Sequence, residues 1–312
     1  MTSSYTSAST QKDPSHLKAY LVLMVMPLFF SSNMIFGRAI IAHIEPFQLA
    51  FIRWALTGLI LLALCLPAFR RHLGDFRTYW KELLLLGFLG MWICGALVYL
   101  ALKYTTASNG ALIYTSSSVI IILLEWAFRG RSIGIREIIG IPLAIIGVAV
   151  IVFQGDLDVL LSLQFNPGDI LFVICATAWA FYSFLLRKEH FNKIPTMPLL
   201  SVIAFAGAIA LLPFAIAETV VVAAFPTDLN TWMGILAMVV LSSILPFTAH
   251  QYGTKVLGAS ITGVFLYLAP PYGIFLAVTF LGEVLAPFHF AGIVLILGGM
   301  VLATLPKSLF RR

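Results

Sequence analysis

Residues 258–299 decide the fold, and they read GASITGVFLYLAPPYGIFLAVTFLGEVLAPFHFAGIVLILGG. Two apolar runs, each near the length that crosses the hydrocarbon core of a bilayer, flank a tight corner at Gly282 and Glu283. Pro270 and Pro271 interrupt the first run near its middle, where a proline lacks the backbone donor of a helix. Because lipid offers no partner for the carbonyls so freed, the break must lie against other helices or a cavity. Both prolines are therefore predicted to have a structural or gating role.

The composition of the whole chain predicts a polytopic membrane protein. Of the 312 residues, 61% are hydrophobic and only 10% are charged, whereas about 25% of the residues of a soluble protein are charged. Cys65, Cys94 and Cys175 all lie in apolar runs and form no CxxC pair. Neither a disulfide framework nor a zinc site is therefore expected.

Ten membrane spans, joined by mostly short connections, are predicted from the apolar runs. The Ser- and Thr-rich residues 1–16 are expected to be disordered, and residues 306–312 to form a basic tail. The predicted spans are 17–41, 46–68, 80–103, 107–128, 135–153, 167–189, 197–217, 230–253, 258–280 and 287–305.

The distribution of lysine and arginine predicts how the spans are oriented. With both termini in the cytoplasm, 16 of the 19 basic residues fall on the cytoplasmic side. Only Lys103 falls at an outer end, while Arg38 and Arg53 lie within spans. The net charge of +6 is therefore a topology signal, and no binding of nucleic acid is expected. The predicted location is the bacterial inner (plasma) membrane.

The two halves of the chain resemble each other in the order of their small and basic residues. At a shift of about 152 residues Lys103 falls on Lys255 and Gly130 falls on Gly282, and nearer the start of each half the best shift is about 149. Five spans per copy is an odd number, so the second copy must enter the membrane in the opposite orientation. Inverted repeats of this kind are typical of secondary transporters.

The Gly282–Glu283 corner with its preceding proline, the later glycines, and the segment PFQLAFIRW at residues 46–54 resemble the EamA-type drug/metabolite transporters. The resemblance implies an all-α protein of ten transmembrane helices in two inverted five-helix repeats, residues 17–153 and 167–305, around a central cavity. Within this family, the sequence is similar to the branch that exports aromatic and other apolar amino acids. Ser118 stands where the first copy would have the family's proline, and Gly130–Arg131 where it would have Gly-Glu, which puts equal roles for the two halves in doubt.

Polar side chains inside the first four spans are candidate substrate contacts, because such residues are costly to bury in a membrane and often functional. Asn33 is attractive because an amide can meet either an ammonium or a carboxylate group. Tyr99 and Tyr114 are candidates because each places a polar hydroxyl inside a predicted span. Helix packing is the alternative explanation for Asn33, and for the hydroxyl-rich group around Tyr114 it is serines that bond back to their own helix.

The second half contributes five further candidates. Trp179 and Tyr182 are three residues apart and share one helix face, where they could stack on an aromatic substrate or pack in the core. Ser243, His250 and Tyr267 lie in the eighth and ninth spans. His250 could titrate during transport, although a structural histidine with satisfied hydrogen bonds is the alternative.

Arg53 is predicted to be a structural charge that pairs with Glu45 or with a backbone carbonyl. Direct binding of a substrate carboxylate to Arg53 remains the alternative. No carboxylate is predicted deep inside a span, so strong proton coupling is not supported. The chain has no HExxH motif and no P-loop. No metal site, no cofactor and no enzymatic activity are therefore expected.

Three functional hypotheses remain open at this point. The first is an alternating-access carrier that exports small amphiphilic metabolites, above all aromatic or apolar amino acids. The second is a carrier for cationic drugs or sugar-linked metabolites, and the third is an intramembrane lipid-modifying enzyme with His250 as its base. The expected partners are a small-molecule substrate and the lipid bilayer, with the chain acting as a monomer.

Overall fold

The regular structure of the described residues is entirely helical, and no strand occurs among them. Seven helices of this part are long and apolar enough to cross a membrane. These helices fall in the predicted spans because long uncharged runs can satisfy their backbone in lipid only as helices. The computed structural model describes residues 14–130, 132–152, 155–156, 166–222, 224–257, 262–263 and 265–304.

The main helices are numbered here in chain order, and the seven candidate spans are α1–α4 and α6–α8. Helix α9 follows a 3-10 turn at Leu266–Leu268 and continues into a π-helical turn at Ala277–Leu281. Part of the predicted ninth span, residues 258–261 and 264, lies outside the described residues. The helices are α1 Pro14–Ile40, α2 Pro46–Arg71, α3 Trp80–Ala101, α4 Ala107–Arg129, α5 Ile135–Val152, α6 Pro167–Leu186, α7 Thr196–Val221, α8 Leu229–Leu257, α9 Ala269–Leu276 and α10 Pro287–Thr304.

Side-chain caps set where several helices begin. The Thr106 hydroxyl accepts from the Asn109 N–H before α4, and the Asn166 side chain accepts from the Gly168 N–H before α6. Asp228 does the same for α8, where the Thr231 N–H donates to its carboxylate at 2.8 Å. That hydrogen bond lowers the pKa of the Asp228 carboxyl below its usual value.

The packing joins helices of the first half to helices of the second. Helix α2 packs along α7, and α5 packs along α10. Helix α1 contacts α8 and α9, while α6 contacts α3 and α4. The interior of the bundle is therefore shared by both halves of the chain.

Hydrogen bonds distinguish the two ends of the bundle. Lys103 follows α3 and pairs with Glu45, just before α2, at 2.6 Å. Lys255, in the last turn of α8, donates to the carbonyl of Ile194, just before α7. Because Glu218, near the end of α7, binds the first turn of α2, α7 runs from the end that holds Lys255 to the end that holds Lys103. We call these the Lys255 end and the Lys103 end.

Helices α5 and α10 cross so closely that only glycine fits at the contact. A Cβ atom on Gly299 would lie 2.5 Å from the backbone nitrogen of Ala144 and 2.5 Å from the carbonyl oxygen of Gly140. A Cβ atom on Gly147 would lie 2.7 Å from the backbone nitrogen of Ile296. Small residues allow such backbone contacts between membrane helices, where packing replaces the hydrophobic effect as the main attraction.

We expect Gly299→Ala to destabilise the protein by about 1–3 kcal/mol, because the added methyl group must force two backbones apart. Gly298→Ala is the matched control, since no atom lies within 4 Å of its Cβ position. That variant should be neutral or slightly stabilising, because alanine is the better helix residue. Thermal unfolding of both variants in one detergent measures the difference. Equal midpoints for the two variants would contradict the close crossing.

Candidate functional site

A cavity lies between seven helices, midway along α6 and α8. The space open to the centres of water molecules is about 70 Å³, several times the volume of about 10–15 Å³ that one water needs. Its wall is mainly aromatic and aliphatic, with a few polar groups. The lining residues are Phe30, Ser31, Asn33, Met34, Arg53, Trp54, Cys94, Val98, Ala111, Tyr114, Ser117, Trp179, Ser242, Phe247, Leu266 and Ala269.

Trp179 stands at the centre of the aromatic wall. The rings of Phe30 and Phe247 meet it edge to face, each with its centroid 5.5 Å away. Tyr182, one helical turn further along α6, stacks on it at 5.1 Å. Edge-to-face and offset-stacked rings form a rigid apolar surface of large area. The rings of Tyr114 and His250 also contact Trp179, at 6.0 and 5.2 Å.

Arg53 provides the polar part of the wall. Its Nε donates to the Ser243 hydroxyl at 2.5 Å, and its Nη2 donates to the carbonyl of Ser242 at 2.6 Å. Its Nη1 donates to Asn33 Oδ1 at 2.7 Å and also to the Tyr99 hydroxyl. The Tyr99 hydroxyl in turn donates to Asn33 Oδ1 at 2.9 Å. One guanidinium thereby joins residues of α1, α3 and α8 beside the cavity.

The partners of Arg53 correct one of the sequence expectations. Glu45 does not pair with Arg53, because the Glu45 carboxylate binds Lys103 instead. The separation explains this: eight residues along α2 correspond to about 12 Å. The other suggested partner, a backbone carbonyl, is present as that of Ser242.

Two π-helical turns lie beside the cavity. One spans Phe88–Leu97 in α3 and another Met238–Ile244 in α8. They carry the lining residues Cys94 and Ser242. A π-turn inserts an extra residue into a helix and is frequent at functional sites. Each of these two turns therefore contributes a residue to the cavity wall.

Between the cavity and the Lys255 end, buried polar atoms lack partners. The Tyr182 hydroxyl lies near the Gln251 amide, although the two do not have hydrogen-bond geometry. These two groups, His250 Nδ1 and the Thr254 hydroxyl have no hydrogen-bond partner among the described residues. Buried polar atoms are nearly always satisfied by protein or by water. This region is therefore suited to hold water or the polar groups of a ligand.

The structure brings most of the sequence candidates to one region. Asn33, Tyr114 and Trp179 line the cavity. Tyr99 and Ser243 are not among the lining residues, but their hydroxyls accept hydrogen bonds from Arg53. Tyr182 and His250 contact Trp179. The side chains of Tyr267 and Pro270 lie outside the described residues, and Pro271 occupies the first turn of α9. The roles of all these residues remain predictions.

Sequence reasoning missed Phe30, Trp54, Phe247 and Ser242, which also line the cavity. In a chain with 25 phenylalanines, an aromatic residue in an apolar run carries little information by itself. A usable signal was spacing, since Phe30 and Phe247 each stand three residues before a polar residue of the same helix, Asn33 and His250.

A second buried polar cluster lies near the Lys103 end, away from the lining residues. The Asp169 carboxylate, wholly buried in the first turn of α6, accepts from the Thr105 hydroxyl at 2.5 Å. The Asn109 amide donates to Asp169 at 3.4 Å, and its oxygen faces His289 Nε2 at 3.0 Å. A carboxylate near a helix N-terminus is stabilised by the helix dipole. The cluster therefore ties α4, α6 and α10 together.

Two carboxylates of the second half cap helices of the first half at the Lys103 end. Glu218 accepts from the N–H groups of Phe47 and Gln48, at 2.9 Å each, at the start of α2. Glu283 accepts from the N–H groups of Ala107 and Ser108 at the start of α4, and from the Ser108 hydroxyl at 2.6 Å. Each cap therefore fastens one half of the chain to the other. No group of His, Cys, Asp or Glu among the described residues is arranged to hold a metal ion.

Comparisons with known proteins identify a matching family model, similar transporters and a similar fold. The model of the EamA-like transporter family matches twice, at residues 17–153 and at residues 166–305. An uncharacterized transporter of Archaeoglobus fulgidus is 28% identical, over 92% of this chain and 97% of that protein. The uncharacterized transporter YyaM of Bacillus subtilis is 24% identical, over 93% and 94%. One crystal structure shares the fold, with a TM-score of 0.65 at 20% identity, over 95% of this chain and 99% of that one.

Proposed function

This chain belongs to the EamA-like transporter family, and we propose that it is a secondary carrier that exports small amphiphilic metabolites, above all aromatic and apolar amino acids. The observation that carries the proposal is the cavity between helices of both halves, which combines an aromatic wall with one polar cluster. An amphiphile needs both surfaces, because its apolar part gains by stacking and its polar part needs hydrogen bonds. The buried guanidinium of Arg53 in that wall weighs against cationic drugs as substrates.

The proposal includes ten spans in two inverted repeats. The two family-model matches support the duplication. So do Gly130 and Gly282, 152 residues apart, which end their helices with the same left-handed backbone, at φ of 65° and 66°. An opposite orientation of the copies is supported by Lys103 and Lys255, which lie at opposite ends of the bundle.

The residues contacted by those two lysines are also equivalent. Lys103 binds the side chain of Glu45, and Lys255 binds the carbonyl of Ile194, 149 residues further on. The helix pairs follow the same rule, since α1 with α8 corresponds to α6 with α3. Pseudo-twofold symmetry of this kind is what inverted repeats produce.

In this proposal the two copies rock to expose the cavity to alternate sides of the membrane. Each side of the cavity has a polar pair at equivalent positions: Asn33 with Tyr99 towards the Lys103 end, and Tyr182 with Gln251 towards the Lys255 end. The first pair is hydrogen-bonded, whereas the second has no hydrogen-bond partner among the described residues. A substrate moving between the two openings would thus meet hydrogen-bonding groups on both sides.

The test of transport is counterflow of labelled phenylalanine in proteoliposomes that contain the purified protein. Uptake against preloaded unlabelled phenylalanine, absent from empty liposomes, supports the proposal. A competitor panel of leucine, tryptophan, quaternary ammonium compounds and sugar nucleotides then defines the range of substrates. Failure to exchange any amino acid would refute the substrate assignment.

The orientation makes a separate prediction: residue 103 faces the outside of the cell and residue 255 faces the cytoplasm. Cysteine is placed at one position at a time in a protein whose three native cysteines are replaced by alanine. A membrane-impermeant maleimide should label Lys103→Cys on intact cells, and Lys255→Cys only after lysis. Labelling of both variants from the same side is incompatible with an inverted second copy.

A further inference from the structure

Arg53 is a buried cation that forms no ion pair with any described carboxylate. Arg53 is only 2% exposed, and it takes part in none of the ion pairs among the described residues. Three of the described carboxylates have other partners: Glu45 pairs with Lys103, and Glu218 and Glu283 bind helix N-termini. Buried charges are usually paired or neutralised, so this unbalanced charge requires an explanation.

The groups that surround Arg53 spread its charge but do not cancel it. Its hydrogen-bond acceptors are two hydroxyls, one amide oxygen and one carbonyl oxygen, all of them neutral. The Trp54 ring, 4.6 Å from the guanidinium carbon, adds a cation–π contact. A guanidinium has five N–H donors in a fork that matches a carboxylate. The hydrogen bonds to described residues use four of them.

Arg53 also forms part of the wall of the cavity. Arg53, Asn33 and Ser242 all line the cavity, and so does the Trp179 ring. A ligand on that ring would have its polar end close to a concentrated positive charge. An anion there gains the charge-assisted hydrogen bonds that the neutral neighbours lack.

We propose that Arg53 anchors the carboxylate of the transported solute, so that the carrier recognises amphiphilic carboxylates and does not need their ammonium group. This inference rests on the proposed function and narrows its substrate class. It predicts that 3-phenylpropionate, which has a carboxylate and no amine, binds like phenylalanine. It also predicts that phenylalaninamide and phenethylammonium, which have the aromatic ring without the carboxylate, bind poorly.

The competing explanation is that Arg53 only braces α1, α2, α3 and α8. The variant Asn33→Asp separates the two explanations. Aspartate has nearly the shape of asparagine, so it keeps the hydrogen bonds from Arg53 and Tyr99. It adds the missing negative charge from the protein itself. If Arg53 only braces the helices, the new carboxylate strengthens its interaction with α1. If Arg53 binds the carboxylate of a solute, the new carboxylate takes that place and weakens binding.

The experiment measures binding of the four ligands to the purified full-length protein, from the shift of its thermal unfolding midpoint and from tryptophan fluorescence. In the native protein we expect phenylalanine and 3-phenylpropionate to bind at least tenfold more tightly than phenylalaninamide and phenethylammonium. In Asn33→Asp the dissociation constants of the two carboxylates should rise at least tenfold. Without ligand, the unfolding midpoint of this variant should be unchanged or higher. Asn192→Asp, the same change at an exposed position, should leave binding as in the native protein.

The inference is overturned if the two amines bind as tightly as the two carboxylates, if no carboxylate binds, or if folded Asn33→Asp keeps native affinity. The comparison of ligands in the native protein decides the question even where the variant folds poorly. Failure of the proposed function looks different. Carboxylates would then bind the detergent-purified protein as expected, while proteoliposomes show no counterflow of any of them.

Discussion

Phenylalanine counterflow should fall about tenfold to a hundredfold when Trp179 is replaced by alanine. Trp179 is the ring on which the aromatic wall converges, with Phe30, Phe247 and Tyr182 packed against it. Each aromatic contact contributes about 0.5–1.5 kcal/mol, and tenfold in affinity corresponds to about 1.4 kcal/mol. The range is reached because the variant removes the contact of the Trp179 ring with a bound ring and also leaves its neighbours without the ring on which they pack. The measurement is initial counterflow rate against phenylalanine concentration.

Trp92→Ala is the matched control for this variant. Trp92 packs against Phe47, Phe88 and Phe214 and is absent from the lining of the cavity. Both truncations should lower the unfolding midpoint, since removing a large packed side chain costs about 3–5 kcal/mol. Only Trp179→Ala should reduce counterflow per folded molecule, and Trp179→Phe should recover most of it. An equal loss in both alanine variants would mean that the aromatic wall is only a packing core.

Replacing both capping carboxylates, Glu218→Gln with Glu283→Gln, should open the Lys103 end. Each amide still accepts a hydrogen bond but loses the charge that favours a helix N-terminus. The two losses of charge together amount to about 0.6–2 kcal/mol, which corresponds to about a threefold to thirtyfold larger open population. Cys94 lines the cavity, so it reports the opening when Cys65 and Cys175 are replaced by alanine. A small membrane-impermeant thiol reagent should modify it about threefold to thirtyfold faster in the double variant.

The direction of access is part of this prediction. Reagent applied to intact cells reaches the cavity only through the outer opening, which the proposed topology places at the Lys103 end. Glu189→Gln, at an exposed glutamate near the Lys255 end, should leave the rate unchanged. If the double variant reacts at the native rate, the two caps do not hold the closed state.

Hydrophobic length alone predicted helices α1–α8 to within a few residues, because a spanning segment in lipid must satisfy its own backbone. The surroundings of Arg53 could not be predicted in the same way. Asn33, Tyr99 and Ser243 come from three different helices, and only tertiary packing brings them to one guanidinium. The periodicity of residues within one helix does not indicate which side chains of other helices they contact.

The buried cluster around Asp169 escaped prediction for a related reason. An acidic residue in the first turn of a helix is ordinarily a solvated or capping group, so the sequence offers no sign that Asp169 is wholly buried. Its burial results from Thr105 and Asn109, which reach it from the neighbouring chain segment, and from His289 behind them. The sequence shows the positions of these polar residues along the chain, but it does not show that they are buried.

The glycine crossing of α5 and α10 has a practical consequence for observing transport. Neither helix contributes a residue to the described lining of the cavity, and their backbones touch at Gly147 and Gly299. If the bundle rocks as proposed, two helices packed in this way should stay fixed relative to each other. A fluorophore on their exposed flank, for example at Ile145 or Val294, would therefore serve as a stationary reference. A second dye on a moving helix would then register each cycle as a change in distance.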